Sequence, residues 1–137
     1  MGWILGFLAL FCFALAIYLW QLVRLDNVAQ SRLPQLKDNP AAFTAFWEQK
    51  YKRMHLRQKK NAALFLIALG LARQGEYTKA MDRMRFVRRG DPALDRDAVN
   101  ALYYELLCKT GKKEESISFY KDNSASVDRG KQSPWMQ

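Results

Sequence analysis

One histidine, two cysteines and two close pairs of carboxylates carry what catalytic or metal-binding potential this chain has. His55 stands in a basic stretch with no Cys or second His beside it, so it lacks the partners a metal site needs. Cys12 falls in an apolar run and Cys108 in a stretch of helical periodicity. Two cysteines so placed give neither a disulfide framework nor a CxxC motif, and they fit a reducing compartment. Glu114-Glu115 and the pair Asp95/Asp97 sit near expected helix ends, where solvation or the helix dipole accounts for them. There is no GxSxG, no HExxH and no glycine-rich phosphate loop. The expectation is a protein that is not an enzyme, with no catalytic residue, no cofactor and no metal.

The charge pattern points to binding instead. The 137 residues carry a net charge of +9, unevenly spread. Nine Lys/Arg face three Asp/Glu between 24 and 60, six face two between 61 and 90, and seven face eight between 91 and 137. Two basic clusters stand out, and Lys50, Lys52, Arg53, Arg57, Arg85, Arg88 and Arg89 are the candidate contacts to an anionic surface. On one continuous helix, 85 and 89 would share a side with 88 beside them. Lys59, Lys60 and Arg83 add to the same clusters. Membrane lipid is the first candidate partner and an acidic protein the second. Nucleic acid comes last, because no reading motif accompanies the charge.

The preference for lipid comes from the first segment. Gly2 to Val23 reads GWILGFLALFCFALAIYLWQLV, without a charge. A helix rises 1.5 Å per residue, so about 20 apolar residues cross a hydrocarbon core of roughly 30 Å. Trp3 at one end and Tyr18 and Trp20 at the other occupy positions where amphipathic rings favour the headgroup level. No Lys or Arg precedes the run and no small-x-small site follows it, so it reads as an uncleaved anchor rather than a signal peptide. Arg24, Arg32 and Lys37 follow, and basic flanks stay in the cytoplasm. The expected layout is an anchor over 2–23, a polar connector over 24–39 in which Pro34 stops any continuation of the membrane helix, a helical domain over 40–121 in the cytoplasm, and a disordered tail over 122–137 without apolar periodicity.

Within the domain the fold class is all-α. Asn39-Pro40 is a helix start, and Phe43, Phe46, Trp47, Tyr51 and Met54 recur at three- and four-residue spacing on a helix to about Arg57. Asn61 to Ala72 (NAALFLIALGLA) is apolar on every side but gives only about 18 Å of helix, too short to span a membrane. Such a helix belongs at the centre of a core. Gly75 suits the left-handed position that ends it. A helix over Glu76–Arg89 stops at Gly90, and one over Ala98–Thr110 stops at Gly111. A short helix over Glu114–Lys121 closes the series.

Gly75-Glu76-Tyr77 aligns with Gly111-Lys112-Lys113 at an offset of 36 residues, each between an apolar helix and a second one. Leu64, Ile67, Ala68, Leu71 and Ala72 align with Asn100, Tyr103, Tyr104, Leu107 and Cys108, and Ala80 with Ser116. This resembles the tetratricopeptide repeat, a 34-residue helix–turn–helix unit. The first copy, Asn61 to Leu94, places Ala80 on the second helix and Pro92 where the family has its closing proline. The second copy departs from it at Asn100 and Ser116 and has no proline. The resemblance covers about half the chain, mostly 61–121. It implies an antiparallel helical-hairpin domain whose first helices line a groove for a protein or peptide. The groove residues it implies are Phe65, Leu69 and Arg73 from one copy with Leu102, Glu105 and Lys109 from the other, or else Phe65 and Leu69 simply cover the Phe43–Met54 helix.

The function expected from these features is a membrane-anchored scaffold or adaptor that docks a protein partner at the cytoplasmic membrane face. Two alternatives stand beside it. Mitochondrial preprotein receptors are similar in layout, with an anchor, a basic connector and one such repeat. An accessory subunit of a larger membrane complex would use the anchor helix itself as its interface. The charge asymmetry around 2–23 makes a direct prediction: protease added to intact spheroplasts leaves 24–137 uncut until the membrane is permeabilised, and cleavage without permeabilisation reverses the orientation.

Overall fold

The computed structural model describes residues 2–91 and 94–137, with the backbone only for Asp26, Arg57 and Gln58. The described residues form six helices and no strand: α1 (Gly2–Asp38), α2 (Pro40–Arg53), α3 (Arg57–Arg73), α4 (Tyr77–Met84), α5 (Arg96–Lys109) and α6 (Lys113–Lys131). The chain divides into two units, 1–32 and 33–137.

The first unit is most of α1. This is the one described helix long and apolar enough to cross a membrane, and its apolar window has no buried residue. Trp3, Leu5, Phe7, Leu10 and Phe13 all stand open. Left in water, that surface is costly at about 25 cal/mol per Å². At the polar end of the run the Arg24 guanidinium lies 5.4 Å from the centre of the Trp20 ring, a cation over an aromatic face. The helix does not end where the apolar run ends. It passes through the expected connector, with Pro34 inside it, and reaches Asp38. Proline removes one ladder bond but does not force a stop. The Asn39 N–H still donates to the Gln35 carbonyl at 2.7 Å, and the burial of Leu36 in the second unit holds the final turn.

The second unit is built around α3. Every residue from Ala63 to Gly70 is buried, and α2, α4 and α5 pack around it. Helix α2 starts as its sequence requires: Asn39 Oδ1 accepts from the Ala42 N–H at 3.2 Å and Pro40 takes the first helical position. Its fully buried side chains are Phe43 and Trp47, whose rings meet edge to face at 6.4 Å. Helix α2 comes close to α3 at Gly70, where a Cβ would collide with Thr44 Oγ1. The same hydroxyl donates to the Pro40 carbonyl at 2.8 Å and accepts from Gln74 Nε2 at 2.7 Å, so the close approach is also a polar clasp.

Helices α3 and α5 end alike. Gly75 and Gly111 have φ of +80° and +77°. The N–H of Glu76 donates to the Leu71 carbonyl at 2.9 Å, and that of Lys112 to the Leu107 carbonyl at 3.0 Å. These are the bonds of a glycine-terminated helix, in which a left-handed residue lets the chain reverse within two positions. Each turn leads straight into the next helix, and a small buried residue, Ala80 or Ser116, lies five positions past each glycine.

Two further elements differ from the expectation. Helix α4 ends at Met84, not Arg89. Asn61 is the cause. Its side chain accepts from the Arg88 N–H at 2.6 Å and donates to the Arg88 carbonyl at 3.0 Å, offering that backbone an alternative to the helix ladder. Pro92, expected to close the first repeat, lies outside the described residues. The second difference is at 122–137, expected to be disordered. Here α6 runs to Lys131 through a non-helical Asn123, Val127 is fully buried, and Trp135 is 9% exposed in the turn that follows. Its order comes from polar bonds between distant residues. Asn100 Nδ2 donates to Ser126 Oγ at 2.9 Å, Ser126 Oγ donates to Asp97 Oδ1 at 2.6 Å, and Arg129 Nε donates to Asp97 Oδ2 at 3.0 Å.

At Gly130 helix α6 approaches the backbone of α5, and a Cβ there would run into the Asp97 carbonyl. A backbone cannot swing aside, so Gly130→Ala should cost about 1–3 kcal/mol of unfolding free energy. Gly90→Ala, which meets open space at an ordinary φ, should change it by less than about 0.5 kcal/mol. Thermal melts of the two variants in detergent check the difference.

Candidate functional site

The six implied groove residues separate into two groups. Phe65, Leu69 and Leu102 are buried in the core. Being buried, they do not line an open face. Arg73, Glu105 and Lys109 remain at the surface and share one cleft of about 280 Å³ with Tyr104, Cys108 and Met136.

The cleft joins three parts of the chain. Arg73 ends α3, and its Nη1 lies 3.3 Å from Glu105 Oε1 on α5, with both groups about a quarter exposed. Its Nη2 donates to the Met136 carbonyl at 3.2 Å. The Lys109 ammonium sits 5.7 Å from the centre of the Tyr77 ring. The segment 133–137 therefore rests on this cleft, held by Arg73 and by the burial of Ser133 and Trp135. Partly exposed ion pairs of this kind contribute under about 1 kcal/mol. The 133–137 segment is a strap across the cleft, with Met136 in its lining.

Beside the cleft, Tyr104 and Tyr120 stack at 5.2 Å with the Lys131 ammonium 5.5 Å and 5.9 Å from their ring centres. The Tyr120 hydroxyl donates to Asp128 at 3.1 Å, and that carboxylate pushes the phenol pKa up. A hydrogen bond with Cys108 raises that of Tyr104. Both phenols stay protonated at neutral pH. Among the described residues no three His, Cys, Asp or Glu side chains gather where a metal ion would sit.

The basic residues stand on two parts of the chain. Lys50, Lys52 and Arg53 occupy the last turn of α2, where cations favour the negative end of the helix dipole. The Arg57 side chain lies outside the described residues. Arg85, Arg88 and Arg89 do not share a helical side as expected, because α4 has ended before them. They stand on the irregular stretch 85–90, and all three are exposed. Arg85 pairs with Asp82 at 3.7 Å, and the Arg89 guanidinium lies 4.3 Å over the Tyr103 ring.

Several functional contacts were not foreseen. Arg83 pairs with Glu48 at 2.8 Å and ties α4 to α2. Asn61 and Asn100 are buried polar residues on α3 and α5. Their signal was visible in the sequence as asparagines inside apolar helices, since a buried amide must find partners. The partners themselves were 26 to 30 residues away and could not be read.

No family model, no curated protein and no solved structure matches this chain.

Asp97 gives the contact between α5 and α6 a testable pH dependence. The hydrogen bond from Arg129, then that from Ser126, holds its pKa below the usual carboxylate range. A depressed pKa adds stability that is complete above the unfolded value of about 3.9 and is lost as pH falls through the lower folded value. Asp97→Asn should therefore lower the melting temperature at pH 7, and the gap from the parent should close as the pH drops below that unfolded value. Paired melts across that range measure it.

Proposed function

We propose that the protein is a single-pass, membrane-anchored scaffold of tetratricopeptide-like build that docks a protein partner at the cytoplasmic face of its membrane. The observation that carries this is the pair of matching turns. Gly75 and Gly111, 36 residues apart, close two helical hairpins with the same left-handed glycine, the same backbone bond and the same small buried residue five positions on. That recurrence fits a duplicated helix–turn–helix unit of the kind whose neighbouring copies present one face to a ligand. The apolar α1 on the same chain supports the anchor.

The docking surface in this proposal is the cleft at Arg73, Glu105 and Lys109, not the buried Phe65, Leu69 and Leu102. Its shape suits a side chain and a short stretch of backbone. The strap shows the chemistry on offer: Arg73 donates to a main-chain carbonyl at Met136, and the Met136 sulfur lies 3.9 Å from the same guanidinium. A partner segment would replace the strap and take over that bond. A carbonyl acceptor with a flexible apolar side chain beside it is the match.

Cys108 is exposed and lines the cleft, so it carries a crosslinker without a new residue. In full-length protein in its own membrane, a thiol-reactive photo-crosslinker on Cys108 should join one protein of fixed mass. Lys109→Glu should reduce that adduct severalfold while Cys12→Ser leaves it unchanged. Crosslinks confined to the chain's own 133–137 segment, in the parent and in Lys109→Glu alike, would show that the strap is the cleft's permanent occupant.

A further inference from the structure

Outside the apolar run, Phe86 and Ile117 are the large apolar side chains that stand exposed among the described residues, at 75% and 60%. They differ in their surroundings. Ile117 follows Glu114 and Glu115. Phe86 lies between Arg85 and the pair Arg88 and Arg89, all three of them exposed. Its stretch of chain is also held in place from within. Val87 is buried, and the Asn61 side chain grips both backbone groups of Arg88. Val87 is thus held inward, while Phe86 and Arg88 on either side of it stand exposed. An exposed phenyl ring on a stretch that carries three exposed arginines matches one kind of surface, which is an apolar layer beneath a layer of negative charge. Guanidinium groups pair with phosphate oxygens, and an aromatic ring favours the boundary below them. An acidic protein would meet the arginines but need not offer a place for the ring.

We infer that the stretch 85–90 docks on an anionic phospholipid surface, with Phe86 entering the headgroup boundary and Arg85, Arg88 and Arg89 meeting the phosphates. This rests on the proposed anchoring of the chain by α1. A span in the same chain keeps the loop at high local concentration near lipid, so weak contacts suffice. Ile117 is left out because the carboxylates ahead of it would be repelled by the same surface.

The test uses the full chain in nanodiscs of phosphatidylcholine alone and of equal parts phosphatidylcholine and phosphatidylglycerol, read by hydrogen–deuterium exchange. Burying one phenylalanine corresponds to a population shift of on the order of tenfold or more. Amides 85–90 should exchange slower by on the order of tenfold in the anionic discs. The protection should fade as salt shortens the screening length from about 10 Å at 0.1 M to about 3 Å at 1 M. Phe86→Ser, at an exposed position, should remove most of the protection, and changing the three arginines together to Gln should remove it all. Equal exchange in the two discs overturns the docking, and full protection in Phe86→Ser overturns the role of the ring. Protection by added polyglutamate but not by anionic discs overturns it in favour of an acidic protein. A chain that fails to co-elute with the discs overturns the anchor and the docking together, whereas an inserted chain with a freely exchanging loop overturns the docking alone.

Discussion

From Ala63 to Gly70 helix α3 has no side open to water, and the rest of the compact unit is arranged to keep it so. Three helices pack on it, and the closest approach needs a residue without a side chain, Gly70, opposite Thr44. A helix apolar all round is stable in water only when its neighbours bury it. The small size of the unit leaves α3 little choice of neighbours. The buried side chains on those neighbours are Phe43 and Trp47 on α2, Ala80, Met81 and Met84 on α4, and Val99, Leu102 and Leu106 on α5. The polar residues at its ends then fix the packing. Asn61 holds the chain after α4 at one end, and Gln74 and Arg73 hold α2 and the strap at the other.

The sequence shows those features that depend on near neighbours. The Asn39-Pro40 start of α2, the central place of α3 and the glycine ends at 75 and 111 each follow from a few adjacent residues, and the all-helical class follows from them. Its errors share one cause. The path of the chain after α4 depends on Asn61, 27 residues from Arg88, and the order of 122–137 depends on Asp97 and Asn100. Serine, aspartate and glycine in the sequence SASVDRG give no apolar period, yet these residues pack because their partners stand ready on α5. The expected groove fails for a related reason. An open concave face needs neighbours that leave it open, and with α2 lying on α3 the residues assigned to it became core. Only those near the end of α3 and along the outer side of α5 kept their access.

The two hairpins share a turn but not a length. The first spends 8 residues on its second helix and the second spends 19. The difference produces both surfaces of interest. Where α4 stops early, the chain after it is free to present Phe86 and the arginines. Where α6 continues, it carries the chain around to the Arg73 cleft. A more regular pair of repeats would have neither the loop nor the strap.

The bond between Arg73 and Met136 joins residues 63 apart in the sequence. A ribosome delivers the chain from its first residue onward at about 5–20 residues per second, so local hairpins can form as they emerge. The helix pairs of this unit are neighbours in sequence, an arrangement that favours rapid folding. The Arg73 guanidinium must wait for its acceptor, several seconds of synthesis later at that pace. During that interval Arg73 has no Met136 carbonyl to meet. The bond that closes the cleft is therefore among the last that the compact unit can make.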